Sequence, residues 1–150
     1  MNPPEGAPPA KSIVLPGALE SLGPLADFVH AAARETGLDQ KAAYRLHLAV
    51  DEVATNVITH AYAEKGVQGS IHLHAQVDPD ALRIHLEDTG EPYDPTVQSD
   101  PEDINLPLEE RGVGGLGIFL AKRNVDGFHY ERRGDRNRVT FVVKRPPGQA

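Results

Sequence analysis

The chain has 150 residues, 39% hydrophobic and 25% charged, an ordinary balance for one soluble domain built around one core. Fifteen basic against 22 acidic residues leave a net charge of −7, which argues against binding nucleic acid or an anionic membrane surface by charge neutralisation and suits an acidic protein with a basic partner. The absence of cysteine excludes disulfides, a thiolate nucleophile and a cysteine zinc site, and no apolar run approaches the roughly 20 residues that cross a bilayer.

The N-terminus lacks the basic and apolar regions of a signal peptide, so a cytoplasmic protein is expected. Residues 1–11 hold four prolines and almost nothing to bury, which predicts a disordered tail. Ser12 to Leu15 is a short strand candidate closed by Pro16-Gly17. Leu19, Leu22, Leu25, Phe28, Val29 and Ala32 recur at helical spacing over 18–36, with Gly37 as the stop signal. Asp39 can cap a second helix running to about Tyr62. On it Leu46, Val50, Val53 and Val57 form an apolar stripe, and Glu52 and Asn56, four apart, stand one above the other.

Ser70 to Val77 and Leu82 to Glu87 both alternate apolar with polar, separated by Asp78-Pro79-Asp80, so they read as an antiparallel hairpin with one face covered by helices. Residues 88–112 form a long irregular segment with four prolines, and segments of that length in a compact domain are usually functional or disordered. Gly112 to Gly117 opens a third helix, which ends at Asp126-Gly127. A last hairpin turns at Gly134-Asp135, with Val139, Phe141 and Val143 facing one way. The tail from Arg145 is again rich in Pro and Gly, which leaves one domain over 12–144 and a second disordered tail over 145–150.

Three groups of residues could carry chemistry. Glu52 and Asn56 could together serve a hydrated cation and a reacting oxygen, although such a pair is also common on a solvated helix surface. Asp88 follows a strand directly and is an acceptor when ionised, so it could take a hydrogen bond from an amino group such as that of adenine. Gly90 beside it permits close approach of backbone and ligand, but Asp88-Thr89-Gly90-Glu91-Pro92 is equally an ordinary turn. The run 112–117 formally matches G-x-G-x-x-G, yet it follows a loop and lacks a βαβ unit, so a dinucleotide fold is excluded by context. It does open a helix, whose N-terminal amides suit phosphate. There is no P-loop, no H-R-D or D-F-G, no G-x-S-x-G and no H-E-x-x-H. His72, His74 and His85 share a polar sheet face; with no carboxylate at ligand spacing, a solvated face is preferred to a metal site.

Taken in order and at their spacing, Glu52-x-x-x-Asn56, Asp88-x-Gly90 and Gly112 to Gly117 resemble the three boxes of the GHKL ATP-binding superfamily. Asn56 with His60-Ala61-Tyr62, Asp88-x-Gly90-x-Pro92-Tyr93-Asp94-Pro95 and Gly114-Gly115-Leu116-Gly117-Ile118 look like its bacterial anti-sigma-factor serine/threonine kinase branch, over about residues 12–144. The resemblance implies a Bergerat-type α/β two-layer sandwich: a mixed, mostly antiparallel sheet with three helices on one face. It implies ATP and Mg²⁺, with Asn56 as the magnesium ligand, Glu52 as general base and Asp88 on the adenine amine. Thr140 would support Asp88, and Gly90 and the backbone of Gly112, Gly114, Gly115, Leu116 and Gly117 would line the nucleotide. Arg111 is the candidate for a cation at the γ-phosphate. The implied function is an anti-sigma factor that phosphorylates a STAS-type anti-anti-sigma protein, binds a sigma factor and forms a homodimer, with no direct contact to nucleic acid or membrane. An ATP-binding partner-switch module without phosphate transfer is the alternative.

Overall fold

The computed structural model describes residues 11–97 and 115–146. Five strands, β1 (Lys11–Pro16), β2 (Ser70–Val77), β3 (Ala81–Asp88), β4 (Gly127–Arg133) and β5 (Arg136–Lys144), form one sheet in the order β1-β2-β3-β5-β4. Every pairing described is antiparallel, so the sheet contains no parallel pair among the described residues. Three helices, α1 (Leu22–Glu35), α2 (Gln40–Asn56) and α3 (Gly115–Arg123), complete the two-layer α/β architecture expected from the sequence. No helix among the described residues is long and apolar enough to cross a membrane.

The alternation of the strands sets the layers. Ile71, Leu73 and Ala75 of β2, Leu82, Ile84 and Leu86 of β3, and Val139, Phe141 and Val143 of β5 are buried in one core with the helices. Leu25, Val29 and Ala32 of α1 and Leu46, Val50 and Val53 of α2 supply the other side. The helix signals behave as their chemistry requires. The Asp39 carboxylate caps α2 by accepting from the Ala42 N–H at 2.8 Å. Gly37 leaves α1 with φ 79°, a left-handed conformation open to glycine at little cost.

The ends of the fold differ from the sequence expectation at two residues. Lys11, assigned to the N-terminal tail, opens β1 opposite Ala75 and pairs with Glu35. Arg145, assigned to the C-terminal tail, donates to the carbonyls of Thr36 at 3.0 Å and Asp78 at 2.8 Å, so it ties the end of β5 to α1 and to the β2–β3 turn. Residues 1–10 and 147–150 lie outside the described residues.

The helix expected to reach Tyr62 changes character where the site begins. Regular α-helix stops at Asn56, and Val57–Ala63 continues as a π-helix. Wider bonds follow: the Glu64 N–H donates to the Thr59 carbonyl at 2.9 Å and Val67 to Tyr62 at 3.0 Å. Such segments recur at functional sites because they alter the register in which side chains leave the helix. Tyr62 anchors the far end. Its ring lies between Gly17 and Gly69, where an added methyl on either side would overlap it. Its hydroxyl donates to the Ser70 carbonyl at 2.8 Å and accepts from the Thr89 N–H at 3.0 Å.

Candidate active site

A cavity of about 400 Å³ opens between the C-terminal half of α2, the π-helix and the end of β3. Val53, Asn56, Val57, His60 and Ala61 form its helical wall, at the three- and four-residue steps of a single face. Ile118 of α3 and Val139 of β5 add apolar surface, and Asp88 and Asn137 bring polar atoms to the floor. An apolar cleft of this size with a few fixed polar groups suits a flat heteroaromatic ligand. At the rim, the Lys65 ammonium donates to the Glu91 carboxylate at 2.6 Å.

Asp88 is 3% exposed and is divided between two tasks. Its Oδ1 accepts from the Gly90 N–H at 2.8 Å and from Asn137 Nδ2 at 3.1 Å. Its Oδ2 accepts no hydrogen bond from the described residues and is left for a donor in the cavity. Burial pushes the Asp88 carboxyl above its ordinary value, while the bonds from Asn137 and Gly90 and the Arg132 charge pull the other way. Gly90 is required by contact: a methyl there would stand 2.8 Å from Ala61 Cβ and 2.9 Å from Asp88 Oδ1.

The partner of Asp88 differs from the one expected. Thr140 lies opposite His85 on β5, facing away from the helices, and its hydroxyl is 2.8 Å from His85 Nδ1. His85 Nε2 lies 3.0 Å from Gln76 Oε1, an acceptor only, so Nε2 carries the proton and Nδ1 accepts from Thr140. Burial, helped by Arg138, lowers His85 to about 4 and keeps it neutral. Thr140 therefore serves this pair, across the sheet from the cavity. Asn137, three residues earlier and directly opposite Asp88, takes the supporting role. Its Nδ2 also donates to the carbonyls of Gly90 at 3.3 Å and Glu91 at 2.8 Å. Its Oδ1 accepts from Tyr130 Oη at 2.6 Å and the Tyr93 N–H at 3.3 Å, so one buried carboxamide holds the whole 88–93 turn. A sequence signal existed: Asn137 has the parity of Val139, Phe141 and Val143, and a polar residue in that core-facing series calls for a partner.

Glu52 and Asn56 stand one turn apart on α2, with Asn56 in the cavity wall. Glu52 is half-buried, and desolvation first, then the Asp51 charge, raise its carboxyl above the ordinary value. A methyl on Gly117 would overlap the Glu52 carboxylate, so the first turn of α3 lies directly against it. Gly115 begins α3. Gly112, Gly114, the Arg111 candidate and the side chain of Leu116 lie outside what is described. Among the described residues no group of three or more His, Asp or Glu could hold a metal, and His72, His74 and His85 form no such site.

The chain as a whole is similar to known proteins. The profile of the histidine kinase-like ATPase domain matches residues 15–143. The chain belongs to that family. It is 30% identical over 123 residues to the serine-protein kinase RsbW of Halalkalibacterium halodurans, covering 79% of this chain and 74% of the relative. It is 29% identical over 104 residues to the serine/threonine-protein kinase BtrW of Bordetella bronchiseptica, covering 69% and 72%. In fold it matches the crystal structure of the RsbU and RsbW domains of a Mycobacterium tuberculosis protein, with a TM-score of 0.63 and 17% identity over 93% of this chain and 34% of that longer one. The ATP-binding family and the serine/threonine kinase branch inferred from the sequence are therefore the ones its relatives occupy.

Proposed function

We propose that the chain is an ATP-dependent serine/threonine protein kinase of the anti-sigma type, which phosphorylates a STAS-domain partner and binds a sigma factor. The observation that carries this reading is a single cavity lined by Asn56, Asp88 and Ile118 of α3, with Glu52 one helical turn before Asn56 and against Gly117 at the start of α3. Adenine enters between Val57, Ala61, Ile118 and Val139, and its amine donates to Asp88 Oδ2. The phosphates extend toward the start of α3, where backbone N–H groups and the helix dipole receive negative charge.

Asn56 offers one hard oxygen donor in the cavity wall, which fits a magnesium ion that arrives with the nucleotide and keeps several waters. That ion, when bound, neutralises charge on the phosphates. Glu52 takes the proton of the substrate hydroxyl as the new O–P bond forms and the bond from the γ-phosphorus to the bridging oxygen breaks, releasing ADP. Burial, then the Asp51 charge, raises its proton affinity above that of an ordinary glutamate, the direction that favours a proton acceptor. A pure nucleotide binder has no need of a base at this place.

The reading is tested by incubating the protein with γ-labelled ATP, Mg²⁺ and the STAS-domain proteins of the same genome. Label on a STAS serine or threonine, absent with Glu52→Gln, is the expected result. ATP binding without transfer to any of them would overturn the kinase and leave an ATP-binding partner-switch module. A light-scattering mass of two chains is expected for the homodimer.

A further inference from the structure

The N-terminal half of α2 presents a surface that leads to Glu52. Lys41, Tyr44, Arg45 and Leu48 precede Glu52 by three, two, two and one helical turns and share its side of the helix. Leu48 and Tyr44 are 40% and 57% exposed, and Leu120, three residues beyond Gly117 on α3, is 48% exposed. Single exposed apolar residues are unremarkable, but these three stand on the two helices that meet at Glu52. Lys41 and Arg45 are exposed on the same stripe, and neither makes an ion pair among the described residues of this acidic chain.

The geometry of transfer makes this face available to one kind of partner. The C-terminal half of α2, from Val53 to Asn56 and on to Ala61, is the wall of the nucleotide cavity. A hydroxyl that reaches the Glu52 carboxylate must come within hydrogen-bond distance of it. The protein surface around that hydroxyl then covers ground not occupied by nucleotide, which is the N-terminal half of the stripe. We propose that Lys41, Tyr44, Arg45 and Leu48 dock the protein substrate, with Leu48 and Tyr44 in an apolar contact and acidic side chains of the substrate on Lys41 and Arg45. This rests on the reading of Glu52 as the base. It also assigns the partner an acidic, apolar-centred surface beside its phosphoacceptor, opposite to what the net charge of the whole chain suggests.

Two double variants test it, Tyr44→Ala with Leu48→Ser, and Lys41→Glu with Arg45→Glu. All four positions are at the surface, so the fold and nucleotide affinity, read with a fluorescent ATP analogue, stay at wild-type values. The same STAS-domain proteins serve as probes, in transfer assays and in nucleotide-loaded binding on a biosensor. The expected result is a rise in KM for the labelled STAS protein of at least about tenfold in each variant, with kcat at saturation within about twofold. Unchanged KM beside wild-type transfer would overturn the docking face and leave the kinase intact. If the wild type captures a STAS protein but transfers nothing, loss of capture in both variants supports the docking face while the kinase fails. Equal capture by the variants, or no capture by the wild type, overturns the docking face. Variants that change only the mass of the chain in light scattering would show that the face joins two copies, which also overturns it.

Discussion

At Asp88 one carboxylate oxygen holds the protein together and the other is free for a ligand. Asp88→Asn keeps an oxygen for Gly90 and Asn137 but turns an amide donor toward the adenine amine. ATP affinity should fall by about 1.5–3 kcal/mol, roughly ten- to a hundredfold, as measured by calorimetry. Stability moves differently. The folded Asp88 carboxyl is raised above its unfolded value, so its favourable contribution is complete only below the unfolded value and is lost as pH rises through the folded one. At neutral pH the neutral Asn should therefore leave the melting temperature of the free protein unchanged or higher; a large fall would mean the buried carboxylate is a stabilising group. Glu52 acts as a base only when ionised, so its raised value moves the acid limb of the transfer rate upward in pH. The kcat–pH profile should fall on acidification with a midpoint above the ordinary 4.5, and a midpoint at or below it would contradict the assignment. The placement of Asn56 and Asp88 about one cavity, with Glu52 a turn away, was legible as residue types at fixed spacing. Thr140 was misplaced because strand parity, which puts it across the sheet beside His85, weighs more than proximity in sequence.

α2 and α3 fix the Glu52 carboxylate, the proposed base, through one close contact. In Gly117→Ala the new methyl must displace the flexible end of Glu52, not backbone, so the fold should survive while the carboxylate is misaimed. Transfer should drop at least about tenfold, with a smaller change in ATP affinity, since small misplacements of reacting groups are costly. An unchanged rate would show that Glu52 has room elsewhere. The π-helix is anchored through Tyr62, whose hydroxyl serves both the Ser70 carbonyl and the Thr89 N–H. Tyr62→Phe leaves two partly buried backbone groups short of a partner, and chemical denaturation should show a loss of about 1–3 kcal/mol. Retained stability would mean water replaces the hydroxyl. Sequence periodicity gave this stretch as plain helix, because Leu46, Val50, Val53 and Val57 keep their α-helical step up to the point where the π segment starts. The segment also packs through Tyr62 against Gly17, which is remote in sequence, a contact that local periodicity does not report.

For the whole molecule, the sheet and helical layer were readable because β2 and β3 alternate apolar with polar residues, β5 does so up to Val142, and α1 and α2 carry apolar stripes. The strand order was not, since placing β5 between β3 and β4 depends on long-range pairing that local pattern does not encode. That order matters for function: it sets Asn137 opposite Asp88 and brings Val139 into the cavity beside α2 and α3. Under the proposed function the two ends of the site divide the work, with adenine at Asp88 and phosphate transfer at Glu52. The most direct test is a single-turnover experiment with ATP prebound to wild type and to Glu52→Gln, followed by addition of the STAS-domain substrate. Equal ATP affinity with transfer slowed by roughly 10²–10⁴ in the variant is the expected result. Transfer at the wild-type rate by Glu52→Gln would contradict the assignment of the base and the mechanism built on it.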